Sequence, residues 1–159
     1  MRRSKIKVLI ADIDERNRKC LCGHLTRSGY QVCTARSGRD LLMECETRPP
    51  DLFILNWDLP DLDGCDVSEH IRHYQEIWET PIIFLMEGEH YEERALGQMV
   101  DFVGGDYYLT KPCDRNVLLR LVDSIVEQSS SYIGQGSPRF PTRVRWPTKQ
   151  SPRPVALGL

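Results

Sequence analysis

At 159 residues the chain has the size of one domain with a short appendage. With 40% hydrophobic and 28% charged residues it reads as an ordinary soluble globular protein, and no apolar run approaches the ~18 residues of a membrane span. The net charge of −2 conceals a split: residues 129–159 hold Arg139, Arg143, Arg145, Lys149 and Arg153 and no acid, so residues 1–128 keep 16 bases against 23 acids, a net of −7.

The start, "MRRSKIKVLIADID", is basic and then apolar, but the apolar run is short and acids follow at once. That pattern does not suit a secretory leader, and a cytoplasmic chain is expected. The six cysteines, Cys20, Cys22, Cys33, Cys45, Cys65 and Cys113, are irregularly spaced in a chain large enough for its own core. Reduced thiols, mostly buried as small hydrophobes, are expected rather than disulfides.

Residues 6–11, "IKVLIA", predict a buried strand, ended by Asp12, Asp14 and Glu15, which open a helix. Leu21 and Leu25 sit four apart in that helix, and Gly29 closes it. "YQVCTA" (30–35) is a second strand, and "SGRDLLMECETR" (37–48) a helix capped by Ser37. "PPDLFILN" (49–56) is a turn and a third strand, followed by a helix over 66–78. "TPIIFLM" (80–86) is a fourth strand with Pro81 at its first position, where a missing N–H is tolerated. A helix over 91–103 ends at Gly104-Gly105, "DYYLT" (106–110) is a fifth strand, and 114–128 is a helix with apolar residues at 117, 118, 121, 122 and 125.

Strand and helix thus alternate five times, and the strands are continuously apolar, as strands covered on both faces are. The expected fold is α/β, a doubly wound five-stranded parallel sheet with flavodoxin-like order 2-1-3-4-5, over residues 1–128. That order puts the ends of strands 1 and 3, Asp12 and Asn56, at the ligand crevice. Beyond Gln128 the chain turns to Ser, Gly, five prolines and five bases without periodicity, which predicts a disordered basic tail over 129–159.

Four stretches, "VLIADID" (8–14), "PDLFILNWDLPDLDG" (50–64), "TPIIFLM" (80–86) and "GGDYYLTKP" (104–112), fall in order at strand ends. With them the sequence resembles the receiver domain of bacterial two-component response regulators over roughly residues 5–128. The resemblance implies a phosphorelay role, in which an aspartate ending strand 3 takes a phosphoryl group from a histidine kinase. Two acids after strand 1 hold magnesium, a Thr or Ser ending strand 4 binds the phosphoryl group, a lysine after strand 5 pairs with it, and an aromatic on strand 5 acts as a switch.

Carried over by position, the acceptor falls on Asn56. The two acids fall on Asp12 and Ile13, the hydroxyl residue on Met86 and the small residue after it on Glu87. The lysine falls on Lys111 and the switch on Tyr108. An amide is not an anionic nucleophile, so Asn56 is not expected to form an acyl phosphate. Without carboxylates at 13 and 56, magnesium binding is expected to be lost or weak, with Asp12 and Asp14 the remaining weak candidates. Met86 lacks the hydroxyl, and Glu87 adds negative charge where a phosphate would arrive. Lys111 is expected to pair with Asp12 and the amide oxygen of Asn56, and Met86 to fill the space that would otherwise admit Tyr108, leaving that ring outward.

These readings together imply a stand-alone pseudo-receiver, not an enzyme and without a cofactor, that acts by protein–protein contact. Its partner would be a sensor kinase or another signalling protein, bound through the face of the fourth helix, strand 5 and the fifth helix, roughly residues 90–128, where Tyr107 and Tyr108 lie. Three rivals stand beside it. Asp58 or Asp61 takes the phosphoryl group instead; a small ligand occupies the vacated crevice beside Lys111; or the tail, with Phe140 and Trp146 among its bases, docks nucleic acid weakly. Cys20 with His24, and Asp66 with His70 and His73, are helical pairings that also suit a metal ion, although a helix half packed and half solvated accounts for both. Trp57 and Trp78 are expected as core or half-exposed anchors.

Overall fold

The structure is a computed structural model that describes residues 2–74, 76–87 and 107–132. Five strands, β1 (Lys7–Ala11), β2 (Gln31–Ala35), β3 (Leu52–Asn56), β4 (Ile82–Glu87) and β5 (Tyr107–Lys111), form one parallel sheet in the order β2-β1-β3-β4-β5. The helices are α1 (Glu15–Arg27), α2 (Gly38–Thr47), α3 (Gly64–His73) and a C-terminal helix (Arg115–Tyr132). The helix expected over 91–103 and the tail from residue 133 lie outside the described residues. The C-terminal helix runs four residues past the expected boundary at Gln128.

Alternate residues of each strand point to opposite faces, and both faces are covered. Leu9, Ala11, Phe53, Leu55, Phe84 and Met86 pack with Leu41 of α2 and with Val67 and Ile71 of α3. Val8, Ile10, Leu52, Ile54, Ile83 and Leu85 pack with Leu21 and Leu25 of α1 and with Leu118, Val122 and Ile125 of the C-terminal helix. β3, central and buried at all five positions, fits its continuous apolar run, whereas β2 and β5 are edge strands and only partly covered. In the C-terminal helix Val117 is 42% exposed and falls outside the buried stripe that Leu118, Val122 and Ile125 define.

Helix starts follow the capping residues. Asp14 accepts from the amides of Arg16 and Asn17, Ser37 from Asp40, and Asp114 from Asn116 and Val117. α3 begins at Gly64, two residues before the expected start, because Asp63 and Asp66 close a reciprocal capping box. It also stops at His73 rather than running to residue 78: Tyr74 is extended, and Arg72 reaches past the helix end to the carbonyls of Trp78 and Thr80. Trp78 is 49% exposed, while Trp57 is buried and meets Phe84 edge-on at 5.2 Å. Of the free thiols Cys20, Cys22, Cys33, Cys45 and Cys113, Cys45 is buried and the other four are exposed or partly covered, so for these five the expectation of mostly buried thiols fails. Burial pushes the Cys45 thiol pKa up to about 12.

Candidate functional site

The crevice lies at the carboxyl ends of β1, β3, β4 and β5. Register alone brings its residues together: Asn56 pairs with Leu85, one residue before Met86, and Glu87 pairs with Lys111. Asp12 follows directly on β1 and is fully buried.

Asp12 is the hub. Its Oδ1 accepts from the Asp14 amide at 2.9 Å and from Asn56 Nδ2 at 3.2 Å. Its Oδ2 accepts from Asn17 Nδ2 at 2.5 Å and pairs with Lys111 Nζ at 3.1 Å. Four donors therefore converge on one carboxylate, two on each oxygen, which is what a buried charge requires. Beneath it the buried Arg18 donates Nη1 to the main-chain oxygens of Asp12, at 2.7 Å, and Ile13, at 3.4 Å, and so braces the turn between β1 and α1.

Asn56 is buried and oriented by two acceptors. Its Nδ2 donates to Asp12 Oδ1 and to the main-chain oxygen of Asp58, both at 3.2 Å. Only the NH₂ end of the amide can meet two acceptors, so the side chain is fixed with its nitrogen towards Asp12. The expected contact between Lys111 and the Asn56 oxygen is therefore replaced: Lys111 pairs with Asp12 and, at 3.9 Å, with Glu87. One ammonium is thus shared between two carboxylates.

The remaining positions complete the picture. Ile13 is 55% exposed on the rim and offers no ligand. Asp14 is engaged as the cap of α1. The set is a poor match to magnesium's demand for oxygen ligands: both oxygens of Asp12 already accept from N–H donors, Ile13 has no oxygen to offer, and Asn56 turns its NH₂ towards Asp12. Among the described residues no three His, Cys, Asp or Glu side chains converge on a common point, the group of Asp66, His70 and His73 included.

Met86 is buried in the core. Tyr108, expected outward, instead packs against the same cluster, stacks on Phe84 at 5.8 Å and has its hydroxyl oxygen shielded from solvent. The flat contact with Phe84 takes the ring along the sheet, so a methionine at 86 does not force it out.

The acidic loop after β3 is largely structural. Asp61 accepts from the amides of Gly38, at 2.8 Å, and Arg39, at 2.9 Å, at the start of α2. Burial would raise the pKa of Asp61, but those amides outweigh it and hold the carboxyl below its usual range. Asp63 caps α3, and Asp58 is exposed and bridges Asp63 through the main chain. Sequence reasoning missed Asn17 and Arg18. Their signal was present, since both lie one turn into α1, the helix that starts directly behind Asp12.

The geometry agrees with the comparisons. The family profile described as response regulator receiver domain matches residues 8–123. The alkaline phosphatase synthesis transcriptional regulatory protein PhoP of Bacillus subtilis is 34% identical over 77% of this chain and 49% of its own length. The transcriptional regulatory protein KdpE of Mycobacterium tuberculosis is 33% identical over 78% of this chain and 52% of its own. The chain thus spans about half the length of these curated relatives. Among solved structures, the chemotaxis response regulator CheY4 of Vibrio cholerae is 28% identical with a TM-score of 0.66, covering 75% of this chain and 97% of that one. The receiver domain of a Pseudomonas aeruginosa sensor histidine kinase, solved with magnesium in its active-site cleft, is 25% identical with a TM-score of 0.66, covering 75% and 95%. Among the described residues no helix is long and apolar enough to cross a membrane. With fold, strand order, crevice and sequence in agreement, the chain belongs to the response regulator receiver domain family of two-component systems.

Proposed function

We propose that this receiver works in two-component signalling without aspartyl phosphorylation, as a pseudo-receiver that acts by protein–protein contact and catalyses no reaction. The observation that carries this reading is the direction of the Asn56 amide. At the acceptor position stands a hydrogen-bond donor aimed at Asp12, not a carboxylate oxygen aimed at solvent. An acyl phosphate needs an anionic oxygen at that point, and in-line transfer needs it placed to within about an ångström. Lys111, shared between Asp12 and Glu87, has its positive charge already taken up by two carboxylates. No magnesium cofactor is proposed, since Asp12 has its lone pairs engaged.

The partner is a sensor kinase or another signalling protein. The described part of the surface proposed for it is β5 and the adjoining C-terminal helix, with the exposed Val117 and the partly covered Tyr107 and Leu109. The transcriptional role of the longer relatives is theirs. A test is to record amide NMR spectra of the full chain before and after magnesium plus beryllofluoride, a mimic of a bound phosphoryl group. Unchanged resonances for Asn56, Met86 and Lys111 are expected. A saturable shift at those residues would show a working phosphoryl site and defeat the reading.

A further inference from the structure

α1 carries a pair that the crevice does not use. Cys20 and His24 lie one helical turn apart, and Cys20 Sγ is 3.3 Å from His24 Nε2. Spacing of i, i+4 places two side chains on one helix face, and it is the spacing by which a single helix grips one zinc ion with two residues. Zinc bonds of about 2.3 Å to sulfur and 2.0–2.1 Å to imidazole, in tetrahedral geometry, put the two donor atoms about 3.5 Å apart. The pair therefore stands within a few tenths of an ångström of chelating separation without any backbone movement.

Three further facts separate this pair from a packing contact. Cys20 is exposed, so an ion reaches it from solvent and the thiol contributes little to the core. His24 turns Nε2 to the sulfur, while its Nδ1 is buried with no hydrogen-bond partner. His70 and His73 differ: each places Nδ1 at 2.7 Å from a carbonyl of its own helix, those of Asp66 and Glu69, and Asp66 is engaged in the cap of α3.

We propose that Cys20 and His24 form a two-residue site for a thiophilic divalent cation of the zinc class, one ion per chain, with its other coordination positions open to water. On binding, the thiol proton leaves to solvent, sulfur bonds the metal as thiolate, and the Nε2 lone pair bonds it while Nδ1 carries the ring proton. A ligating histidine is ordinarily steadied by an acceptor for that second N–H, and such partners are worth about 10–100-fold in affinity. Nδ1 has none, so the site is weak and exchangeable rather than structural.

The test is an anaerobic cobalt(II) titration of the reduced full chain, read by the near-ultraviolet thiolate-to-cobalt charge-transfer band, with zinc as competitor. The wild type is expected to develop the band, saturate at one cobalt per chain and lose the band to zinc. Cys20→Ser should abolish it and His24→Gln should weaken cobalt at least tenfold, both with unchanged far-ultraviolet circular dichroism. No band in the wild type would overturn the proposal. So would a wild-type titration from Cys20→Ser, which would assign the thiolate to another cysteine, or an unchanged affinity in His24→Gln.

Discussion

Restoring the ordinary acceptor, Asn56→Asp, is the sharpest perturbation of the site. The amide nitrogen that now donates to Asp12 Oδ1 and the Asp58 carbonyl, each at 3.2 Å, becomes a carboxylate oxygen facing two acceptors. Two unit charges 3.2 Å apart repel by about 5 kcal/mol at an effective dielectric of ~20. Holding the new carboxyl protonated, so that its O–H replaces the lost donor, costs less: about 4 kcal/mol at pH 7 and about 1.5 kcal/mol at pH 5, from an unfolded pKa of ~3.9. Lys111 offsets part of the charge repulsion but none of the protonation cost, so a loss of about 2–4 kcal/mol is expected at pH 7 and at most ~1.5 kcal/mol at pH 5. The sign follows from linkage. The folded pKa of the new carboxyl is raised, so the variant matches the wild type below ~3.9 and falls behind as pH rises towards the folded value. Urea denaturation in EDTA, followed by the fluorescence of the adjacent buried Trp57, measures the difference at both pH values. A variant as stable as the wild type at pH 7, or a deficit that grows as pH falls, would refute the assignment of the amide nitrogen as donor to Asp12.

Other outcomes follow from the same contacts. Lys111→Met leaves the fully buried Asp12 without its cation and should cost about 3 kcal/mol in urea denaturation; a loss under ~0.5 kcal/mol would mean that the N–H donors alone suffice. Asp61→Ala removes the carboxylate that holds the first two amides of α2 beside the Ser37 cap, and should cost about 1 kcal/mol at neutral pH. Because the folded pKa of Asp61 is depressed, that difference is present above ~3.9 and should disappear as pH falls through the folded value, which a pH series of chemical denaturation reads directly. Gly64→Ala would bring a Cβ to 2.5 Å from the Trp57 ring and 2.9 Å from Phe84, and a thermal melt should show a loss of about 1–3 kcal/mol.

Periodicity and composition made the sheet legible. Apolar runs without alternation mark strands covered twice, and the polar residues that end them mark the crevice, so strand order alone places Asp12, Asn56 and Lys111 together. What stayed hidden depends on contacts between segments distant in sequence. Asp61 looks like a spare acid in its own loop, and only the approach of α2, 22–23 residues earlier, makes it a cap. Arg18 reads as one more charge on a polar helix until the β1–α1 turn folds back over it. The end of α3 at His73 is set by Arg72 binding carbonyls six and eight residues on, which helix periodicity does not register. The inward placement of Tyr108 comes from a cross-strand ring contact with Phe84, a feature of register rather than of the residue at 86.

The central claim, that this receiver carries no phosphoryl group at its acceptor position, is tested most directly by intact mass. The purified full chain is incubated with a small-molecule phosphodonor and magnesium and weighed without delay. The account predicts an unchanged mass. A labile gain of about 80 Da, one HPO₃ unit, would contradict it and point to another acid, Asp58 first, as the true acceptor.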